Sequence, residues 1–167
     1  MLYQETNKHW EMFSSTAAFL ISHNRRDPLV LALLAAESFF RPTMHLFFES
    51  IYWILMDMFN SNRADYISVG ISQVQIRHWR AAGIISCSTS RFSSLLKIYN
   101  PLLNYDACKS LIGTTNYSVD HQDKILDFYT GKTTRYHKLV FNNFLGRAKQ
   151  LSPPTVPING PNKSLEN

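Results

Sequence analysis

Apolar and polar residues recur along most of the chain at the spacing of helices rather than strands. A first amphipathic stretch covers Glu5 to Ser22, and the HNRRDP that follows carries turn and cap residues. Asp27 is suited to cap a helix and Pro28 to open one, so a second helix is predicted through Phe40, ended by Pro42. Every residue from Leu29 to Ala36 is apolar, which leaves this helix no solvated side and places it at the centre of the domain.

A third helix is predicted from Thr43 to Asn60. His45, Glu49, Asp57 and Asn60 fall within one narrow arc of it, and Leu, Ile, Phe and Met fill most of the remainder. The pattern reads as a solvated polar stripe on a helix whose aromatic side is packed in the core. After the loop SNRADYI, a further helix is predicted within SVGISQVQIRHWRAAG, closed by Gly83. RFSSLLKIYNP, stopped by Asn100 and Pro101, then YDACKSLIGTTN, DHQDKILDFYTG and a last segment from about Thr133 to Lys149 complete seven or eight helices. No stretch of Val, Ile or Thr alternates with polar residues long enough to suggest a sheet.

The chain has 167 residues, of which 45% are apolar and 13% aromatic, enough for one good core. Residues 1–150 are read as one all-helical domain. Residues 151–167, rich in proline and without apolar periodicity, are read as a flexible tail. A net charge of +5 favours a polyanionic partner without naming one. Cys87 and Cys108 exclude a disulfide scaffold and a multi-cysteine zinc site, while a single bridge between them stays open. The six histidines form no HExxH or HxH pattern, so neither a metal nor a cofactor is expected. No apolar run reaches the roughly 18 to 20 residues of a membrane span. MLYQETNKHWEMFSS has no basic start followed by a long apolar stretch, so it does not read as a secretory signal. Arg41, Arg77, Arg80 and Arg91, with His78 and Trp79 between them, match no nucleic-acid motif and read as a solvated face; no nucleic-acid partner is expected.

Glu37 is the most informative residue. It follows nine uncharged helical residues and sits near the C-terminal end of the central helix. Burial and the negative end of the helix dipole both disfavour its ionised form, which suits a general acid. A solvated carboxylate at a helix end is the plainer alternative. Glu49 and Asp57 read as part of the solvated stripe, and Asp65 as a loop residue that could approach a cleft and activate water.

AESFFRP, then SVGISQVQ, then YNPLLNYDACKSLI, then DFYTGKTTRYHKLV together resemble the ordered motifs of the soluble lytic transglycosylase family, lysozyme-like enzymes that cleave peptidoglycan. The matching positions are Glu37 and Ser38, Gly70 and Gln73, Asn100, Pro101 and Asn104, and Tyr129 with Gly131. The resemblance spans about Asp27 to Val140. It implies a lysozyme-like fold, mainly helical, with Glu37 as the catalytic acid on the central helix. Ser38, Gly70, Ser72, Gln73 and Tyr129 would be substrate-binding, with Tyr129 orienting Glu37. The implied reaction cleaves the MurNAc to GlcNAc β-1,4 bond with one glutamic acid. Glu37 protonates the leaving oxygen, the N-acetyl group assists, and Glu37 then takes the proton of the C6 hydroxyl, giving a 1,6-anhydro end. Peptidoglycan strands would be the partner, and the bacterial periplasm, the envelope or the exterior the location.

Three features depart from the family pattern. Ile71 and Ser72 replace its usual Leu-Met, and Thr130 replaces the Asn after the tyrosine. The link between Ser38 and Gly70 also holds the whole aromatic helix from Met44 to Phe59. That insertion is expected to pack in the core, wall the cleft or face a membrane or partner protein. Because it starts directly after the acid, at least one of His45, Glu49 or Trp53 should border the site. The competing functions are a hydrolysing lysozyme using Asp65, a silent glycan-binding scaffold, and a basic nucleic-acid binder.

Overall fold

The computed structural model describes residues 2–41, 43–113 and 135–151, and within them the protein is mostly helical. The first helix, α1, spans Leu2–Ser22, and α2 spans Pro28–Phe40. The turn between them ends as the sequence predicts: the Asp27 carboxylate accepts from the Leu29 amide at 3.0 Å, with Pro28 in the first helical position. Arg41, the residue before Pro42, is extended and closes α2. Every α2 side chain from Leu29 to Ala36 is buried. The main wall around it is the last described helix, α8 (Arg135–Leu151), with α1 and α7 (Pro101–Gly113) on other sides. The central position read from its composition is therefore observed.

The short α7 and α1 ends are tied across this core. Tyr105 accepts from the Asp27 amide at 2.8 Å, and Arg25 pairs with Asp106 at 2.9 Å. Burial pushes the Tyr105 phenol up to about 12, so it stays a neutral partner at any physiological pH.

The third helix, α3, runs Thr43–Phe59 as predicted, but it faces the opposite way. Its buried residues are Leu46, Ser50 and Trp53, with Glu49 and Asp57 on the same inward side, each bound to arginine. Phe47, Phe48, Tyr52, Leu55 and Met58 are exposed, and Phe59 is 82% exposed. The expected core packing of the aromatic side is overturned. Glu49 and Asp57 of the polar arc turn inward, where arginines pair with their carboxylates, while His45 and Asn60 of the same arc stay exposed.

A one-turn helix α4 (Ser61–Ala64) follows, capped by the Asn60 side chain. The segment read as one helix from Ser68 instead forms a hairpin, β1 (Ser68–Val69) against β2 (Val74–Gln75), with Val69 opposite Val74. Only then does helix α5 (Ile76–Ala81) begin. Two conditions defeat a helix here. Gly70 and Gln73 both take positive φ, +71° and +52°, and Val69, Val74 and Ile76 must all reach the core. Helix α6 (Arg91–Ile98), capped by Ser90, leads to Asn100, whose side chain accepts from the Leu102 amide and opens α7 at Pro101. Cys87 is exposed and Cys108 buried, and no disulfide joins them.

Candidate active site

Glu37 closes the buried face of α2. It is 8% exposed, and burial pushes its carboxyl up to about 7. Two charges modulate that effect: Arg41, one turn on, lowers the value, and Glu49 of α3 raises it. The carboxyl is therefore poised near neutrality, where it can both give and take a proton.

Glu49 joins this residue to the hairpin. Its carboxylate pairs with Arg41 and accepts from Gln73 Nε2 at 2.8 Å. The same Gln73 amide nitrogen also donates to the Gly70 carbonyl at 3.0 Å, so its two acceptors fix which way the amide faces. That leaves Gln73 Oε1 buried with no partner among the described residues. Gln73, read as able to bind sugar, sits at the end of a tight turn rather than on a helix.

The turn itself is fastened by Asn104, which is wholly buried. Its Oδ1 accepts from the Ser72 amide at 3.1 Å and the Ser72 hydroxyl at 2.9 Å. Its Nδ2 donates to the Ile98 carbonyl at 2.6 Å and the Asn100 carbonyl at 2.9 Å. The GxxQ and NPxxN segments, thirty residues apart in the chain, are thus one hydrogen-bonded unit. Gly70 is required where they meet: a Cβ there would overlap Asn104 Oδ1 and stand 2.9 Å from the Ile98 carbonyl oxygen.

These contacts revise two sugar-binding expectations. Ser72 is buried and holds the turn, so its hydroxyl faces Asn104 and not an open cleft. The Ser38 hydroxyl bridges the Ala35 carbonyl at 3.0 Å and His9 Nε2 of α1 at 2.9 Å. Burial lowers the His9 imidazole from its ordinary value, which favours its neutral form at that contact. Gly70 contributes its backbone shape and its carbonyl. Tyr129, Thr130 and Gly131 lie outside the described residues.

Glu49 is the site residue that the sequence reading assigned to a solvated stripe. Of His45, Glu49 and Trp53, Glu49 is the one that acts on the Glu37 carboxyl, whereas His45 is exposed and Trp53 lines a separate cavity. That cavity, about 430 Å³, lies between Trp53, Asp57, Asp65, Arg80, Thr89 and Arg91, among others, and none of Glu37, Glu49 or Gln73 lines it. Arg80 bonds both Asp57, at 3.1 Å, and Asp65, and Arg91 bonds Asp57 at 3.1 Å. Asp65 is thus bound to a guanidinium, and the arginines read as a solvated face are largely neutralised. Among the described residues no three His, Cys, Asp or Glu side chains converge as a metal site. Comparison of the chain with protein-family models, with curated proteins and with solved structures gives no match.

Proposed function

We propose that the protein is a peptidoglycan lytic transglycosylase with a lysozyme-like fold, and that Glu37 is its general acid and base. One observation carries the reading. A carboxyl held near neutrality at the end of a fully buried apolar helix is joined, through Glu49, to a left-handed Gly70–Gln73 turn locked by Asn104. Three of the four motifs that the resemblance puts in order along the chain are linked here by these contacts.

In the proposed reaction the protonated Glu37 gives its proton to the glycosidic oxygen as the C1–O bond breaks. The substrate's N-acetyl oxygen stabilises the developing positive charge at C1. Glu37, now a carboxylate, takes the proton of the C6 hydroxyl as its oxygen bonds C1, restoring the acid. Attack from within the same sugar has a high effective concentration, so no water need be held. The value near 7 serves both steps, because neither proton transfer is then far uphill. Gln73, with its amide nitrogen bound to Glu49 and Gly70 and its Oε1 buried, acts by holding Glu49 in place beside the acid.

A second reading rests on Glu49. Two carboxylates at one site is the equipment of a hydrolase, with Glu49 as base for a water and Asp65 in no such role. Digestion of purified peptidoglycan followed by mass analysis of the soluble products decides between them. Products with 1,6-anhydro ends support transglycosylation and reducing ends support hydrolysis. No release of products by the wild-type chain would reduce the domain to a glycan-binding or scaffold role.

A further inference from the structure

Helix α3 is built inside out. At 100° per residue its inward arc holds Leu46, Glu49, Ser50, Trp53 and Asp57, while the opposite arc presents Phe47, Phe48, Tyr52, Leu55, Met58 and Phe59 to the exterior, all exposed. Scattered apolar surface residues are ordinary. A contiguous face of aromatic and aliphatic side chains along a whole helix marks an interaction surface.

Charge indicates what covers it. Both acids of α3 are turned inward and paired with arginine, so the outward face carries no negative charge. Beyond the end of the helix Arg63 is exposed with no ion pair among the described residues, whereas Arg41 before it is already paired with Glu49. Further on, Arg77 lies over the exposed Tyr66 ring at 4.9 Å. A second copy of the chain would bring another +5 against this surface, whereas an anionic one would be attracted.

At 17 residues α3 alone falls short of a span. No single helix among the described residues is long and apolar enough to cross a membrane, and α2, which meets α3 at 93°, is committed to the core. Seventeen residues give α3 a length of about 25 Å, suited to lying in the plane of a bilayer surface with its outer side sunk among the acyl chains. Aromatic rings at the headgroup level and flanking arginines that reach lipid phosphates are the usual anchors of such a helix.

We propose that α3 is an interfacial anchor that docks the domain on an anionic lipid surface through Phe47, Phe48, Tyr52, Leu55, Met58 and Phe59, with Arg63 contacting headgroup phosphates. The proposal is independent of the glycan reading, because vesicles contain no glycan. The test is co-sedimentation of the whole chain with vesicles of phosphatidylcholine alone or mixed with phosphatidylglycerol.

Binding is expected to the anionic vesicles, to weaken with added salt, and to be slight on the neutral ones. The double variant Phe48→Ser with Phe59→Ser alters only exposed side chains and should keep the helical circular dichroism of the parent. It should bind about tenfold or more weakly. Arg63→Glu should weaken binding about fivefold or more, from loss of one basic contact and gain of one repulsive one. The proposal is overturned by failure to bind either vesicle, by equal binding to both, or by binding that the double variant leaves unchanged. It is likewise overturned if the wild type is a dimer that the double variant dissociates, which would assign the face to self-association.

Discussion

Gln73 Nε2 donates to Glu49 Oε2 at 2.8 Å, and this bond joins the inserted helix to the turn of the hairpin. Neither residue would sit so without the other. Gln73 holds a left-handed backbone that costs a non-glycine residue about 1 kcal/mol or more, and Glu49 is a carboxylate on the inward side of a helix. The bond, with Arg41 on the other carboxylate oxygen, compensates both. It also keeps a negative charge beside Glu37.

Glu37→Gln should leave the fold intact and lower glycan cleavage at least about a hundredfold, since the amide has the acid's shape and no proton to give. For the wild type, cleavage that depends on the protonated acid should fall as pH rises through about 7. A turbidity assay on peptidoglycan across pH checks both. A variant within about tenfold of wild type would remove Glu37 from the role.

The same substitution should stabilise the protein, and only above a defined pH. Glu37 keeps its proton in the fold up to about 7, while the unfolded chain releases it near the ordinary 4.5. Between those values the unfolded state gains from ionisation and the fold does not, so stability drains away as pH rises across the window. Glutamine has no such term. Urea unfolding should find wild type and Glu37→Gln alike at pH below 4.5, with the variant more stable above 7 by something of the order of 3 kcal/mol. Equal stabilities on both sides of the window would mean that Glu37 ionises freely.

Glu49→Gln should move the alkaline limb of the activity profile to lower pH. The carboxylate raises the Glu37 value by repulsion, and its removal also frees Arg41 to stabilise the Glu37 anion. Activity well below that limb should change little if Glu49 only tunes the acid. Loss of activity at every pH, with retained binding of glycan, would instead mark Glu49 as the base of a hydrolase.

How far the sequence foretold this site follows from the reach of each signal. The central helix was legible because eight consecutive apolar residues between Asp27–Pro28 and a charged residue leave no other arrangement. Its effect on Glu37 was legible for the same reason: burial is a local consequence of such a helix. The orientation of α3 was not, because periodicity reveals an arc and never which way it faces. Arg41 and Gln73 at Glu49, and Arg80 and Arg91 at Asp57, hold the two carboxylates inward, and all but Arg41 are brought there by the fold from distant segments. The hairpin was missed because two-residue strands leave too short an alternation, and what enforces it is the contact between Gly70 and Asn104 across thirty-four positions. Pairings of that kind have no periodic signature.

Gly70 and Gly83 allow that last point to be measured. Both have φ of +71°, so alanine meets the same left-handed backbone penalty at either position, about 1–2 kcal/mol. Their surroundings differ. A Cβ on Gly83 has nothing within 4 Å, whereas on Gly70 it would overlap Asn104 Oδ1 and crowd the Ile98 carbonyl. Asn104 cannot yield, since its side chain already holds the Ser72 amide and hydroxyl on one side and two carbonyls on the other. Gly83→Ala should therefore cost only the backbone penalty and leave activity untouched, while Gly70→Ala should cost about 2 kcal/mol or more beyond it. The displaced turn would also withdraw Gln73 from Glu49, so glycan cleavage should fall at temperatures where the variant is still folded. Denaturant unfolding of the two variants isolates the overlap as the difference between them. Equal losses would mean that the GxxQ turn is not braced by Asn104, and that the two segments lie side by side without depending on each other.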